Sequence, residues 1–252
     1  MPNLKRTLAD FKVSVDEIKK SFIALADKKE HIEDLKLIFN IAISDLSLFP
    51  NINMPDTESY EGYLSRWIKG YEDAMKNPPS ERSASPKSSC SDPAIKTIVQ
   101  YATGVDEKTS DEQSNHHNLF MSAENIQGNL LEEFINKEIR KFGWIWCNGN
   151  VLRAVDFCFY DGSVLLQIKN KSNTENSSSS AIRTGTTIKK WYRLGTRTSG
   201  GVKIPDYKWD DLNTIINAHS IISGEKCNLS EESYQAFLKD VATRNKKIIT
   251  DK

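Results

Sequence analysis

The sequence predicts an α/β protein on three observations: helical periodicity through the first 77 residues, a break in composition after them, and a helix followed by three strands in the second half. Leu8, Phe11, Val15, Ile18, Phe22 and Leu25 recur at three- and four-residue steps, and Leu35, Ile38, Ile41 and Leu46 continue the stripe. Tyr63, Leu64, Trp67, Ile68 and Tyr71 repeat that spacing within 60–75, so residues 1–77 are expected to be a helical N-terminal region. Residues 78–93 are rich in Pro and Ser without any period, which reads as an exposed linker or loop before a core at 94–252. A short apolar segment at 94–102 is followed by a polar run at 104–118. Next, Leu130, Leu131, Phe134, Ile135 and Ile139 mark a core-facing helix ending near Gly143. Strands are expected at 144–146, at 151–160 after the turn Asn148-Gly149-Asn150, and at 164–169 across the hairpin signal Asp161-Gly162. After a polar Ser-rich segment, 182–194 reads as a helix with Ile188, Trp191 and Tyr192 as its apolar positions and Thr186 or Thr187 as its cap.

Composition narrows the class of function. Hydrophobic residues make up 38% of 252, and no apolar run approaches the ~20 residues that cross a bilayer, so a membrane protein is not expected. The N-terminus lacks the apolar block of a secretory signal, and a cytoplasmic protein is expected. Cys90, Cys147, Cys158 and Cys227 form no CxxC pair, which favours free thiols over a disulfide framework or a zinc site. The His116-His117 pair has no carboxylate or cysteine at ligand spacing and reads as solvated. Net charge is zero, yet 164–203 carries eight Lys and Arg against the single acid Glu175. A basic stretch on an otherwise acidic chain is the footprint of a polyanion.

Asp156 stands inside an apolar run, and burying a carboxylate there is costly unless a cation or a donor meets it. Across the hairpin, Gln167 and Lys169 lie two apart and therefore share a strand face. Asp156, Gln167 and Lys169 can then converge on one point, where two oxygen ligands and an ammonium suit a hard divalent metal and a phosphate. The competing reading of Asp156 is a strand aspartate paired with Arg153.

Asp156, then ten residues, then Gln167-Ile168-Lys169, preceded by a helix bearing Gly128-Asn129-Leu130-Leu131-Glu132-Glu133, resembles the PD-(D/E)xK nuclease superfamily and its type II restriction endonucleases. Within it, the run from Gln167 through Asn173, Glu175, Arg183 and Thr186 to Lys189-Lys190-Trp191 resembles the SinI-type enzymes, which cut GGWCC or related sites. The resemblance implies a restriction-endonuclease-like core, a central mixed sheet flanked by helices, acting on double-stranded DNA with Mg²⁺. It implies Asp156, Gln167 and the Ile168 carbonyl as metal ligands, Lys169 against the attacking water and the phosphate, and Glu132 orienting water. Glu133 is the weaker choice because it points ~100° away on the helix. Gln167 replaces the acidic member of the signature and removes a negative charge that Glu132 or Glu133 would have to supply.

For recognition, Asn173, Asn176, Ser177, Arg183 and Thr186 offer donors and acceptors to phosphates and base edges, whereas Lys189, Lys190 and Arg193, read as a helical row, would neutralise phosphates. The competing reading of the serine-rich stretch is a flexible linker. A homodimer is expected, because the two strands of a palindromic site present equivalent phosphates to a two-fold protein, and a cognate DNA methyltransferase is expected to be encoded nearby. Two alternatives stay open: a low-specificity repair or mobile-element nuclease of the same superfamily, and a DNA-binding module that has lost cleavage.

Overall fold

A computed structural model describes residues 3–83, 92–171, 182–183 and 185–249. Strand β1 (Asn3–Arg6) pairs with β2 (Ile52–Pro55) in a two-stranded ribbon that ties together helices α1 (Val15–Ala26), α2 (Ile32–Ser44) and α3 (Tyr60–Lys76). Ser14 starts α1 through a capping box with Glu17, and Ser59 caps α3 at the amide of Gly62. The N-terminal region is thus mainly helical as expected, with a small ribbon that the period-3.6 stripe concealed.

Helix α4 (Pro93–Thr103) precedes α5 (Glu107–Ile139), which runs for 33 residues, or ~50 Å at 1.5 Å per residue. The polar run at 104–118 is therefore mostly helix, contrary to its reading as a separate segment. Asp106 caps it at the Thr109 amide, and Lys96 of α4 bridges Glu107 and Asp111. Such a solvated turn carries no apolar period to read. His116 and His117 are exposed on it.

Strands β3 (Trp144–Trp146), β4 (Phe157–Phe159), β5 (Leu165–Lys171), β6 (Lys189–Ser199) and β7 (Val202–Tyr207) form one sheet in that order. All neighbours are antiparallel except β5 and β6, so the sheet is mixed. Helices α6 (Trp209–Ala218) and α7 (Glu231–Arg244) complete the fold.

Each sheet face has its own core. Ile145, Cys158 and Leu165 pack with Ile18, Phe22, Phe39 and Trp67 of the N-terminal helices. Trp146, Phe157, Leu166, Ile168 and Trp191 pack with Leu131, Phe134 and Ile135 of α5, Trp209 of α6 and Tyr234 of α7. The result is three layers with the sheet in the middle. Within β5 the alternation of Leu165 and Leu166 between these cores is the two-residue period of a strand buried on both sides.

Three further expectations need correction. Residues 182–194 do not form a helix: from Lys189 they are β6, whose buried residues Trp191 and Arg193 repeat at two. The spacing of Ile188, Trp191 and Tyr192 imitates a helix only because Arg193, a buried cation, was not counted as a core position. The expected strand at 151–160 shortens to Phe157–Phe159, since Asn150 at φ +57° and Ala154 at φ +61° are left-handed and break extension. Finally, part of the expected exposed linker is buried: Pro79 and Ser80 sit in a short 3-10 turn against α5.

Gly149, at φ +80°, has no room for a side chain, since a Cβ would lie 2.8 Å from the Gly70 carbonyl oxygen on α3. Gly149→Ala is expected to destabilise the protein by at least ~1 kcal/mol in denaturant unfolding; unchanged stability would mean that this contact does not hold the loop.

Candidate active site

The β4–β5 hairpin turns at Asp161-Gly162 as expected, with Phe159 N–H bonded to the Val164 oxygen at 2.9 Å and Gly162 at φ +76°. Its register pairs Cys158 with Leu165 and Phe157 with Leu166, which, extended one step, sets Asp156 opposite Gln167. Directly opposed residues share a face, so Asp156, Gln167 and Lys169 lie on the same side of the sheet. Three main-chain links hold Asp156. Its N–H donates to the Leu166 oxygen at 2.9 Å, its oxygen accepts from Cys147 N–H at 2.9 Å, and its Oδ2 accepts from Ile168 N–H at 2.6 Å. No ion pair joins it to Arg153 among the described residues, which removes the competing reading.

Glu132 reaches this group from α5, its Oε2 accepting from Trp146 Nε1 at 3.2 Å. Burial, reinforced by the Asp156 carboxylate, pushes its carboxyl up to about 8, against the pull of the Trp146 donor and the Lys169 ammonium. Asp156 is raised as well, by burial, which outweighs the Ile168 N–H and Lys169. Two carboxyls whose pKa values burial raises, beside one lysine, form a site in want of positive charge. Glu133, the neighbour on the helix, points elsewhere: its two oxygens accept from Ser80 N–H at 2.8 Å and Ser80 Oγ at 2.6 Å.

Gln167 is only 6% exposed, and its amide makes no hydrogen bond among the described residues. Its polar atoms are not among the buried, partnerless ones of the described residues, so the amide stays open to water or an ion. Ile168 buries its side chain in the α5 core, so only its main chain faces this chemistry. Lys169 is exposed and makes no ion pair among the described residues. No cluster of three His, Cys, Asp or Glu that could hold a metal occurs among the described residues, consistent with a glutamine in the acidic position. The donor set that is present still suits Mg²⁺, which takes one or two carboxylates and fills its octahedron with neutral oxygens and water.

The recognition residues divide. Asn173, Asn176 and Ser177 lie outside the described residues. Arg183 and Thr186 sit in the approach to β6, with Thr186 Oγ1 donating to the Arg183 oxygen at 2.9 Å. Because β6 is a strand, the supposed helical row comes apart. Lys190 pairs in register with Gln167 and so stands on the site's face, while Lys189, beside Leu166, is on the other. Arg193 is not a phosphate contact: it is buried, its Nε donates to Asn170 Oδ1 at 2.9 Å, and its Nη1 bonds Glu231 at 2.7 Å. Lys171 is likewise paired, with Glu124.

Sequence reasoning missed Arg82, which lies within electrostatic reach of Glu132. Its position is fixed from two sides, by Asn245 Nδ2 donating to the Ser80 and Arg82 oxygens and by its own Nε donating to the Asn77 oxygen at 2.8 Å. The Ser80–Glu133 contact helps to bring it there, and no local pattern reveals a contact between residues so far apart in the chain.

The protein-family model described as the SinI restriction endonuclease matches residues 56–242. Over 221 residues, 82% of this chain and 87% of its relative, the sequence is 32% identical to the type II restriction enzyme Eco47I of Escherichia coli. It is also 32% identical over 157 residues to the type II restriction enzyme SinI of Salmonella infantis, covering 61% of this chain and 62% of that one.

Arg193→Leu would strand Glu231 beside Trp209 Nε1 and is expected to cost ~3–5 kcal/mol in unfolding experiments, whatever it does to DNA affinity. A stable Arg193→Leu protein with weakened DNA binding would restore the phosphate role. The folded state holds the Glu132 proton up to about pH 8, whereas a free carboxyl releases it near 4.5. The proton-linked stability is therefore full below about 4.5 and drains away as pH rises through about 8. In metal-free protein, Glu132→Gln should raise the melting temperature at pH 9 more than at pH 5; equal effects at both would contradict the shifted carboxyl.

Proposed function

Because the chain belongs to the SinI restriction endonuclease family, we propose that it is a Mg²⁺-dependent nuclease of the PD-(D/E)xK type that cuts double-stranded DNA at a short GGWCC-like sequence and leaves 5′-phosphate ends. The observation that carries the chemistry is the gathering of Asp156, Gln167 and Lys169 on one sheet face with Glu132 turned toward them. No helix among the described residues is long and apolar enough to cross a membrane.

Asp156, the Gln167 amide oxygen and the Ile168 carbonyl would hold the ion, with Glu132 beside them. When bound, Mg²⁺ supplies Lewis acidity to the scissile phosphate and lowers the pKa of nearby water. The chain's own residues do the rest. The Ile168 N–H fixes one Asp156 oxygen, and the other is the one that would meet the ion. Lys169 places an ammonium where negative charge develops as water oxygen bonds to phosphorus and the bond to the 3′-oxygen breaks. Such a preorganised charge is commonly worth ~3–4 kcal/mol. Glu132 orients water and, anchored by the Trp146 indole, keeps its place whether or not it carries a proton. Lys190, on the same face beside Gln167, meets the DNA backbone. Two copies act on the two strands of the site, and a methyltransferase encoded nearby protects the host's own copies of it.

Incubation with phage DNA and Mg²⁺ is expected to give discrete bands. A smear would indicate an unspecific nuclease, and intact DNA a binding module. Lys169→Ala should slow cutting by ~10²–10³-fold, and Asp156→Ala should abolish it, with site-specific binding largely kept in both. Wild-type cutting by either variant would mean the active site lies elsewhere.

A further inference from the structure

Between the N-terminal layer and the sheet lies a cleft of about 890 Å³. Ser44, Asp45 and Ser47 of the α2 end line one wall; Arg153, Arg183 and Thr186 line the other. Leu165 is also on its floor, which puts the cleft on the sheet face that carries Gln167 and Lys169. Leu165 precedes Lys169 by four residues of β5, about 13 Å at ~3.3 Å per residue, or roughly four base-pair steps.

Neither arginine makes an ion pair among the described residues, although Asp45 lines the same cleft. Arg153 is exposed, yet its backbone is tightly held: its N–H donates to the Leu48 oxygen at 2.7 Å, and the next residue, Ala154, sits at φ +61°. A left-handed alanine is strained, and such strain clusters at functional sites. Asp45 uses Oδ1 to hold the Ser47 N–H and hydroxyl, at 3.0 and 2.7 Å. A surface built only to grip phosphates would exclude a carboxylate. A surface that reads bases uses all three kinds of group, with Arg forks for guanine, carboxylate for the cytosine amino group and hydroxyls for either.

Resting on the nuclease reading above, we propose that this cleft is where the enzyme reads its site, with Arg153 and Arg183 as specificity-determining residues and the N-terminal helices forming one wall of the reading surface. The first part of the chain, which carries no catalytic motif, thereby gains a role in choosing the sequence.

The test measures affinity of the full-length protein, without divalent ion, for two short duplexes. One carries the sequence at which the wild-type digest shows cutting, GGWCC under the reading above; the other differs only there. Arg153→Ala and Arg183→Ala are each expected to lose ~10-fold or more on the first duplex and to stay within about threefold on the second. Arg153→Lys, which keeps the charge but loses the planar fork, should lose preference for the site while its salt dependence stays as in the wild type. Melting temperatures of the Arg153 variants should match the wild type, because Arg153 is exposed. Equal losses on both duplexes would make these arginines phosphate contacts and overturn the proposal, as would unchanged affinity. A wild type that cuts at no discrete site defeats the nuclease reading and this inference with it, an outcome the digest separates from failure of the cleft alone.

Discussion

The geometry of the site depends on one hydrogen bond from main chain to side chain, from the Ile168 amide to Asp156 Oδ2 at 2.6 Å. It spans the two strands that carry the reacting groups and fixes the carboxylate against the residue between Gln167 and Lys169. A slip of one residue in this hairpin would turn Gln167 and Lys169 into the α5 core and bring Leu166 and Ile168 out to the site, because the side-chain period of a strand is two. Packing on both faces guards the register. Leu165 is committed to the N-terminal helices, and Leu166 and Ile168 to α5.

Two adjacent glutamates on α5 show how one helix serves both structure and chemistry. Glu133 is buried and closes on Ser80, which pulls the segment after α3 down onto the helix. Glu132 looks toward Asp156 and gains a high pKa through burial. The same Ser80 anchor brings Arg82 near Glu132, so a structural carboxylate helps arrange the surroundings of a reactive one. On the far side of the sheet, the buried Arg193 and the partly buried Glu231 form a pair that also takes in Asn170 and Trp209.

Much of this was legible in the residues, and the gaps have physical causes. The hairpin could be read because Asp-Gly supplies the positive φ that the turn needs, and the shared face of Asp156, Gln167 and Lys169 follows from the two-residue period alone. Helix α5 was half visible: its buried end carries an apolar period, while its solvated end has none. β6 was misread because a strand that buries an arginine lacks the alternation of apolar and polar residues by which strands are recognised. Lys189 and Lys190, adjacent in sequence, part to opposite faces because successive side chains of a strand alternate. The cleft walls could not be seen at all, since Ser47 and Arg183 meet only through the packing of one layer on another.

The turn that closes the reactive hairpin touches the N-terminal layer with no space to spare. At Gly162 a methyl group would lie 2.9 Å from Ile41 Cγ1. These two positions thus form one steric unit, in which the side chain that one lacks is the side chain that the other has. A larger residue at 162 would have to displace the Ile41 side chain, and would do so against a φ of +76°. Divergence of the first helices is thereby tethered to the chemistry they cover.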